Sequence, residues 1–466
     1  MPDFSSFVKT YDVRGLVDIE LTEEVVEAFG AGFVAELGLT GQELVIGYDM
    51  RDSSPRFAQA FAQGAEKLGA NPLILGLCST DMTYYASGVL KLPAVMFTAS
   101  HNPASYNGMK FSRAGARGIS MQTGLSGISA WAQRYLAEGI PAAAKPGSSK
   151  SIDVLADYVQ YLRNLVDFKA SRPLKIVVDA ANGMGGMTVP AVFGEAAGLA
   201  PLSFEIIPLY FELDGSFPNH EANPLQPENL VDLQKAVLEH GADLGLAFDG
   251  DADRCFAVDE KGAAVSPSAL AAIVSKREIS RVAALGEKNI TVLHNLLTSR
   301  YVAETIEASG ATPLRTKVGH SLIKDAMADS GAVFGGEHSA HYYFRDFFGA
   351  DNGMLAALHL VSELASQSRP MSELAASFTP YFSSGEINST VSDPQRALSE
   401  VAKVLPEAQA EVFDGTTLSF ESEGVWWWAN IRSSNTEPLL RLNVESNHEA
   451  SMVRVRDLAL TAIRNS

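Results

Sequence analysis

Four short stretches of the chain carry residue types from which catalytic sites are built. In FTASHNPASYNGMKF, Phe97 to Phe111, an apolar run ends at Ser100 and His101, with Pro103 behind them and Lys110 downstream. A serine hydroxyl beside an imidazole at the mouth of a sheet offers a nucleophile and a proton carrier. Ser, Asn, Pro and Gly are equally the ordinary residues of a turn. No G-x-S-x-G elbow surrounds Ser100, which argues against a hydrolase dyad. In LGLAFDGDADRCFAVDE, Asp249, Asp251 and Asp253 alternate, an all-oxygen set suited to a hard cation such as Mg²⁺. An EF-hand is rejected, because Arg254 stands where that loop needs glycine and the flanks are strand-like. A divalent cation on the aspartates leaves Arg254 free for an anion.

The third stretch, GGEHSAHYYF, places Glu337, Ser339 and His341 together, carboxylate and hydroxyl groups suited to sugar hydroxyls. Metal binding by Glu337, His338 and His341 is an alternative, although the spacing fits no zinc motif closely. The fourth, IRSSNTEPLLRL, gathers Arg432, Ser433, Ser434, Asn435 and Thr436, with Arg441 near. A guanidinium fork among hydroxyl and amide donors suits phosphate capture; a solvated turn is the plainer reading of that segment alone.

These loops act together only if the fold brings them together, and the chain's punctuation suggests how. Three segments share an order of strand, helix, G-x-x-P-L and strand. LVIGYD leads through a helix, capped by Ser53 or Ser54 with Pro55 in its first turn, to Gly69. LKIVVDA leads to Gly198, and NITVLH to Gly310. Glycine ends a helix in the left-handed conformation and proline follows because the helix cannot continue. The expected fold is α/β: three related units with mixed, mostly parallel sheets. IPAAAKPGSSKS, Ile140 to Ser151, reads as a linker, and SQSRPMS, Ser366 to Ser372, as a second break. After the second break come strand-like runs, a helix over Pro394 to Val404 and a final helix, a smaller α+β unit with an antiparallel sheet. The WWW run, Trp426 to Trp428, is expected to pack on alternating strand faces. The expected division is 1–148 with the serine loop, 149–258 with the metal loop, 259–369 with the sugar loop and 370–466 with the phosphate loop. In open α/β sheets ligands gather beyond the carboxyl ends of strands, where the first three loops fall.

Bulk properties narrow the class. With 46% hydrophobic and 20% charged residues in 466, the chain has ample core for several domains. Its net charge of −19 argues against general affinity for nucleic acid, and a phosphorylated small ligand then needs a local cationic pocket. No apolar run reaches the roughly 18 residues of a membrane span. The N-terminus lacks a signal-peptide pattern, and two cysteines make no disulfide framework. A cytoplasmic protein is expected.

TASHNP, DGDADR, GEHSAH and RSSNTEP, in this order, together with YDVRG (Tyr11 to Gly15) and GYDMRDSS (Gly47 to Ser54), resemble the α-D-phosphohexomutase family. The resemblance spans essentially the whole chain and points to bacterial phosphomannomutase/phosphoglucomutase members. It implies four domains around a central cleft. It also implies reversible transfer of phosphate between C6 and C1 of a hexose phosphate, through phosphorylated Ser100 and a hexose 1,6-bisphosphate that doubles as activator. One Mg²⁺ is implied on Ser100, Asp249, Asp251 and Asp253. Arg14 and Lys110 are implied near the proton transfer, with His101 a weaker candidate and Arg254 stabilising charge. Glu337 and Ser339, with His341 and His320, are implied to hold the sugar, and Arg432, Ser434, Asn435, Thr436 and Arg441 the non-reacting phosphate. The expected partners are small hexose phosphates, with neither nucleic acid nor membrane, and the assembly a monomer or homodimer.

Three departures bear on the substrate. Leu297 stands where relatives often have lysine, a charge that His320 of KVGHS is placed to replace. Ala340 stands where glycine is usual, which restricts the backbone. Glu-His-Ser replaces the Glu-Gln-Ser of phosphoglucosamine mutases, which lowers that reading. A sugar-phosphate phosphatase and a non-catalytic bisphosphosugar sensor are the remaining alternatives; exclusion of water from a closing cleft opposes the first, and the complete set of transfer residues opposes the second.

Overall fold

The three strand–helix–strand units form as the G-x-x-P-L repeat requires. A computed structural model describes residues 4–168, 172–433 and 439–466, with residues 320 and 321 described by backbone alone. In the first unit Glu43–Tyr48 runs to helix Ser54–Lys67 and strand Asn71–Leu77. In the second, Lys175–Asp179 runs to Gly185–Val192 and Glu205–Leu209. In the third, Thr291–Asn295 runs to Arg300–Ala308 and Thr312–Thr316. Within each unit the two strands pair in parallel. Gly69, Gly198 and Gly310 take φ of +85°, +73° and +81°; Gly69 and Gly310 release the chain just past their helix ends, whereas the second unit's helix already stops at Val192, before Gly198. Pro72 and Pro313 are the second residues of their strands, but Pro201 precedes its strand, so the second copy is looser at this point.

A third strand then lies parallel to the first on its other side: Ala94–Phe97, Leu244–Phe248 and Phe334–Gly336. An antiparallel strand follows each, Tyr106–Arg113, Cys255–Asp259 and Tyr342–Phe344. Their parallel strands are continuously apolar because helices cover both faces; Leu44, Val45 and Ile46 are fully buried. The linker contributes structure of its own, since Lys150–Ser151 pairs in parallel with Asn71–Leu77.

Ser53 precedes the helix at 54–67 without capping it through its side chain. The hydroxyls of Ser53 and Ser54 instead accept from Asn107 Nδ2 at 2.7 and 2.9 Å, and Ser54 also donates to Asp49. The expected cap is thus spent on tying the helix to the serine loop's strand.

The last unit is a six-stranded sheet, antiparallel throughout, with helices Pro394–Val404 and Glu449–Arg464 packed on it. The tryptophans alternate as expected. Trp427 enters this unit's core, Trp426 meets Tyr381 and the Arg300 guanidinium, and Trp428 Nε1 donates to Glu445. The fourth unit has a core of its own and the first unit most of one, whereas the second and third share a cluster containing Val177, Leu246, Val292 and Leu358, which Met82, Tyr85 and Met96 of the first unit join. Among the described residues no helix is long and apolar enough to cross a membrane.

Candidate active site

Ser100, Asp249 and Glu337 follow equivalent strands of the three repeated units, so the fold presents one polar loop from each copy. Ser100 itself is left-handed, φ +50°, a conformation that costs a non-glycine residue roughly 1–3 kcal/mol and needs outside support. Thr98 Oγ1 accepts the Ser100 N–H at 2.8 Å. Arg51, 1% exposed, donates to the carbonyls of Ser100 (2.9 Å), Asn102 (2.7 Å), Pro103 (2.9 Å) and Tyr106 (3.0 Å). Asp49 balances its charge at 3.2 Å and the Phe217 ring covers it. Gly250 lets the metal loop abut this one: a Cβ there would lie 2.4 Å from the Ser100 carbonyl oxygen.

The Ser100 hydroxyl donates to Asp249 Oδ2 at 2.8 Å. Arg254, expected to face an anion once a cation holds the aspartates, engages both Asp249 and the serine loop. Its Nε and backbone N–H hold Asp249 at 2.9 and 3.1 Å, and its Nη2 lies 3.4 Å from Ser100 Oγ. The same Nη2 donates to His101 Nδ1. A guanidinium only donates, so Nδ1 is an acceptor and the imidazole is neutral. Burial, then Arg254 and Arg14, hold the His101 pKa well below its ordinary value. His101 does sit 3.2 Å from Ser100 Oγ, but with its lone pair engaged it is a poor base.

Lys110 Nζ divides between Asp251 Oδ2 (2.7 Å) and Asp253 Oδ2 (2.6 Å). Burial opposes its charge, but the two aspartates win and raise its pKa, so it stays an ammonium. Burial raises Asp249 to about 7 despite Arg254; in Asp251 the opposing pull of Lys110 prevails over burial and lowers the pKa. Arg14 borders the serine loop through Asn102 Oδ1, and also pairs with Asp12, both at 2.7 Å.

The three aspartates fit a divalent cation. They are at most 1% exposed and converge to within 4.8 Å. Oδ1 of Asp251 and of Asp253 is buried without a hydrogen-bond partner among the described residues, while Oδ2 of each is held by Lys110. Three carboxylates against Lys110 and Arg254 leave negative charge in excess, and oxygen donors alone suit Mg²⁺. Glu260 turns away to Ser372, consistent with the rejection of an EF-hand.

The third loop joins this centre through a backbone bridge between Arg254 and His341. His341 Nε2 stands 3.8 Å from Asp253 Oδ1, its Nδ1 3.7 Å from Glu337 Oε2 and 3.2 Å from Ser339 Oγ. Glu337 is buried and accepts from Tyr343 Oη (2.7 Å), Asn295 Nδ2 (3.2 Å) and Gly319 N (3.4 Å). The alternative zinc set does not form, because His338 Nδ1 pairs with Ser268 Oγ. Ala340 takes φ +65°, the strain its identity foreshadowed. Leu297 is buried and brings no charge. His320 begins a helix, its side chain lying outside the described residues.

In the fourth unit Arg432 and Arg441 face each other across paired strands. Arg441 meets Glu386 at 3.5 Å, and Nε of both arginines is buried without a hydrogen-bond partner among the described residues. Two adjacent guanidiniums with unspent donors favour an anion. Ser434, Asn435 and Thr436 lie outside the described residues.

All four units match one family, domain by domain: phosphoglucomutase/phosphomannomutase α/β/α domains I, II and III over residues 6–131, 156–262 and 266–381, and its C-terminal domain over 386–461. The chain belongs to the phosphoglucomutase/phosphomannomutase family. A phosphohexose mutase of Xanthomonas campestris pv. campestris is 39% identical over 455 residues, 96% of each chain. A phosphomannomutase of Salmonella typhimurium is 37% identical over 463 residues, 98% of each. The crystal structure of a phosphoglucomutase/phosphomannomutase family protein from Burkholderia thailandensis superposes with a TM-score of 0.84 at 28% identity, covering 99% of this chain and 97% of its own. This phosphohexomutase is thus an isomerase of the class that moves phosphate within a molecule.

Arg51, Thr80 and Tyr343 support the phosphohexomutase site without having been singled out by sequence. Arg51 lies in GYDMRDSS, where only its charge gave a signal; a lone threonine and tyrosine gave none. A cavity of about 640 Å³ between the third and fourth units, lined by His294, Arg300, Arg315, Glu421 and the tryptophans, contains none of the site residues, so cavity size does not locate the chemistry.

Proposed function

We propose that this phosphohexomutase interconverts the 1- and 6-phosphates of mannose, and of glucose, with the phosphoryl group carried on Ser100. The observation that carries the proposal is the Ser100 hydroxyl, 2.8 Å from Asp249 Oδ2 and beside Arg254, at the edge of a buried carboxylate set with unshared inward oxygens. A hydroxyl of the bound sugar monophosphate attacks the phosphorus on Ser100. Its P–O bond forms as the Ser100 Oγ–P bond breaks; the sugar hydroxyl gives up its proton as Ser100 Oγ takes one up, leaving a serine hydroxyl and a hexose 1,6-bisphosphate. After the bisphosphate reorients, Ser100 Oγ attacks its other phosphorus, losing its proton on the side that faces Asp249, and the isomeric monophosphate departs. Phosphoryl transfer asks chiefly for alignment and charge stabilisation, which Arg254 and the permanently charged Lys110 supply. Mg²⁺, held by Ser100, Asp249, Asp251 and Asp253, supplies further charge stabilisation to the phosphoryl group when bound.

Arg432 and Arg441, with Ser434, Asn435 and Thr436, hold the phosphate that does not react. Glu337, Ser339, His341 and His320 hold the sugar, and Arg14 steadies the serine loop through Asn102. A trace of hexose 1,6-bisphosphate starts the cycle by phosphorylating Ser100, and the enzyme works in the cytoplasm. The test is ³¹P NMR of the protein with Mg²⁺, a trace of glucose 1,6-bisphosphate and the 1-phosphates of mannose, glucose and glucosamine together. Growth of mannose and glucose 6-phosphates, abolished in Ser100→Ala, supports the proposal. Inorganic phosphate alone makes the protein a phosphatase, and a dominant glucosamine signal overturns the sugar assignment.

A further inference from the structure

Lys110 and Arg254 were expected beside the aspartates; Thr80 was not. It opens the helix Thr80–Leu90 of the first unit and is fully buried. Its Oγ1 donates to Asp251 Oδ2 at 2.5 Å, and its backbone N–H donates to the Asp251 carbonyl at 3.1 Å. One residue of the first unit therefore holds both the main chain and the side chain of an aspartate in the second. The helix is itself fixed beside this contact, because Tyr158 of helix Leu155–Leu165 donates to Asp81 Oδ2 at 2.5 Å.

The two donors on Asp251 Oδ2, Thr80 Oγ1 and Lys110 Nζ, decide which oxygen is left. Oδ1 is buried and unpartnered, so the carboxylate presents one defined atom inward. A carboxylate's last torsion is broad and roughly two-fold, and without the hydroxyl only Lys110 resists its rotation. Lys110 is also shared with Asp253 Oδ2 at 2.6 Å. When Asp251 turns, either the shared ammonium follows it and releases Asp253, or Asp251 loses its last donor. The helix's first turn adds a favourable field for the aspartate charge, which a change in the side chain of Thr80 leaves intact.

We infer that Thr80 is a positioning residue of the cation site: its hydroxyl selects the Asp251 oxygen offered to the metal and keeps Lys110 divided between Asp251 and Asp253. The inference rests on reading Asp249, Asp251 and Asp253 as a cation site. Thr80 touches neither cation nor substrate. The test compares the full-length protein with Thr80→Val, which keeps the shape, and Thr80→Ser, which keeps the hydroxyl. Mn²⁺ alone is titrated into unphosphorylated protein and followed by the electron paramagnetic resonance of the free ion; the Mg²⁺ dependence of kcat is measured in parallel.

Thr80→Val is expected to weaken Mn²⁺ binding about ten-fold, the size of one lost hydrogen bond to a charged group. The Mg²⁺ needed for half-maximal rate rises in proportion, while KM for glucose 1-phosphate at saturating Mg²⁺ stays within about two-fold, since that contact lies elsewhere. Thr80→Ser restores Mn²⁺ affinity to within about three-fold. Equal Mn²⁺ affinity of Thr80→Val and the parent overturns the inference. So does a Thr80→Ser variant as weak as Thr80→Val, because keeping the hydroxyl then does not keep the affinity. Failure of the parent to bind Mn²⁺ at all overturns the reading of the aspartates instead.

Discussion

Arg51→Lys tests whether the serine loop is held from outside. The guanidinium spans four carbonyls at 2.7–3.0 Å and is buried against Asp49 and Phe217. Lysine keeps the charge but offers one nitrogen in place of a planar fork. One nitrogen reaches about two of the four carbonyls; the other two lose charged donors worth about 1.5 kcal/mol each, so the loop loses about 3 kcal/mol of support. That equals the upper end of what the left-handed Ser100 conformation costs, roughly 1–3 kcal/mol, so the loop relaxes and Oγ leaves Asp249. Conversion of glucose 1-phosphate, coupled to oxidation of the 6-phosphate, is expected to show kcat lowered about a hundred-fold, the rate equivalent of about 3 kcal/mol. Mn²⁺ affinity is expected to fall less than kcat, because of the four proposed ligands only Ser100 moves, while Asp251 and Asp253 keep their donors from Thr80 and Lys110. A kcat within about three-fold of the parent, with the fold intact by thermal melting, refutes the reasoning, since it means the strain is carried elsewhere.

Gly250→Ala forces a methyl against the Ser100 carbonyl oxygen, 2.4 Å away on a backbone that cannot yield; activity is expected to fall at least as far as in Arg51→Lys, with a lowered melting temperature, as overpacking usually costs about 1–3 kcal/mol. Arg432→Ala is expected to raise KM for hexose phosphate about ten-fold or more, as loss of a charge-assisted phosphate contact should, while Mn²⁺ titration is unchanged; an unaltered KM removes it from phosphate binding. His220 is opposed by burial, but its contact with Asp179 at 3.0 Å raises its pKa above 6.5. Its contribution to stability is therefore full below pH 6.5 and lost as pH rises through the raised value; melting temperatures of the parent should fall across that window relative to those of His220→Gln, and parallel profiles would count against the pairing.

The sequence made the scaffold legible because each copy of the repeat carries a left-handed glycine and then a proline between its helix and its next strand, a signal that survives without alignment. The four loops were legible for a different reason: they are dense in groups that have little business at strand ends unless they bind something. What escaped were the residues that act on others. Arg51 does its work through main-chain carbonyls, which no side-chain pattern records. Thr80 reaches an aspartate 171 positions away, a contact set by how two units pack. The hold of Arg254 on Asp249 escaped for the same reason: it depends on the short turn from strand Leu244–Phe248 to strand Cys255–Asp259. Likewise Ser53 and Ser54 read correctly as residues at a helix start, yet Asn107, from another strand, claims their hydroxyls.

Ser100, Asp249 and Glu337 leave corresponding strands of three copies of one unit, so one kind of strand tip, repeated three times, gathers at a single centre. Each tip is rooted in its own sheet, yet the first two interlock, with Gly250 against the Ser100 carbonyl and Thr80 and Lys110 on Asp251. Under the proposed function, the preference for one sugar can change through the third copy and the fourth unit, which is no copy of the repeat, while the transfer chemistry stays with the first two. The segment around Ala340 is, under that proposal, the place to engineer a new preference.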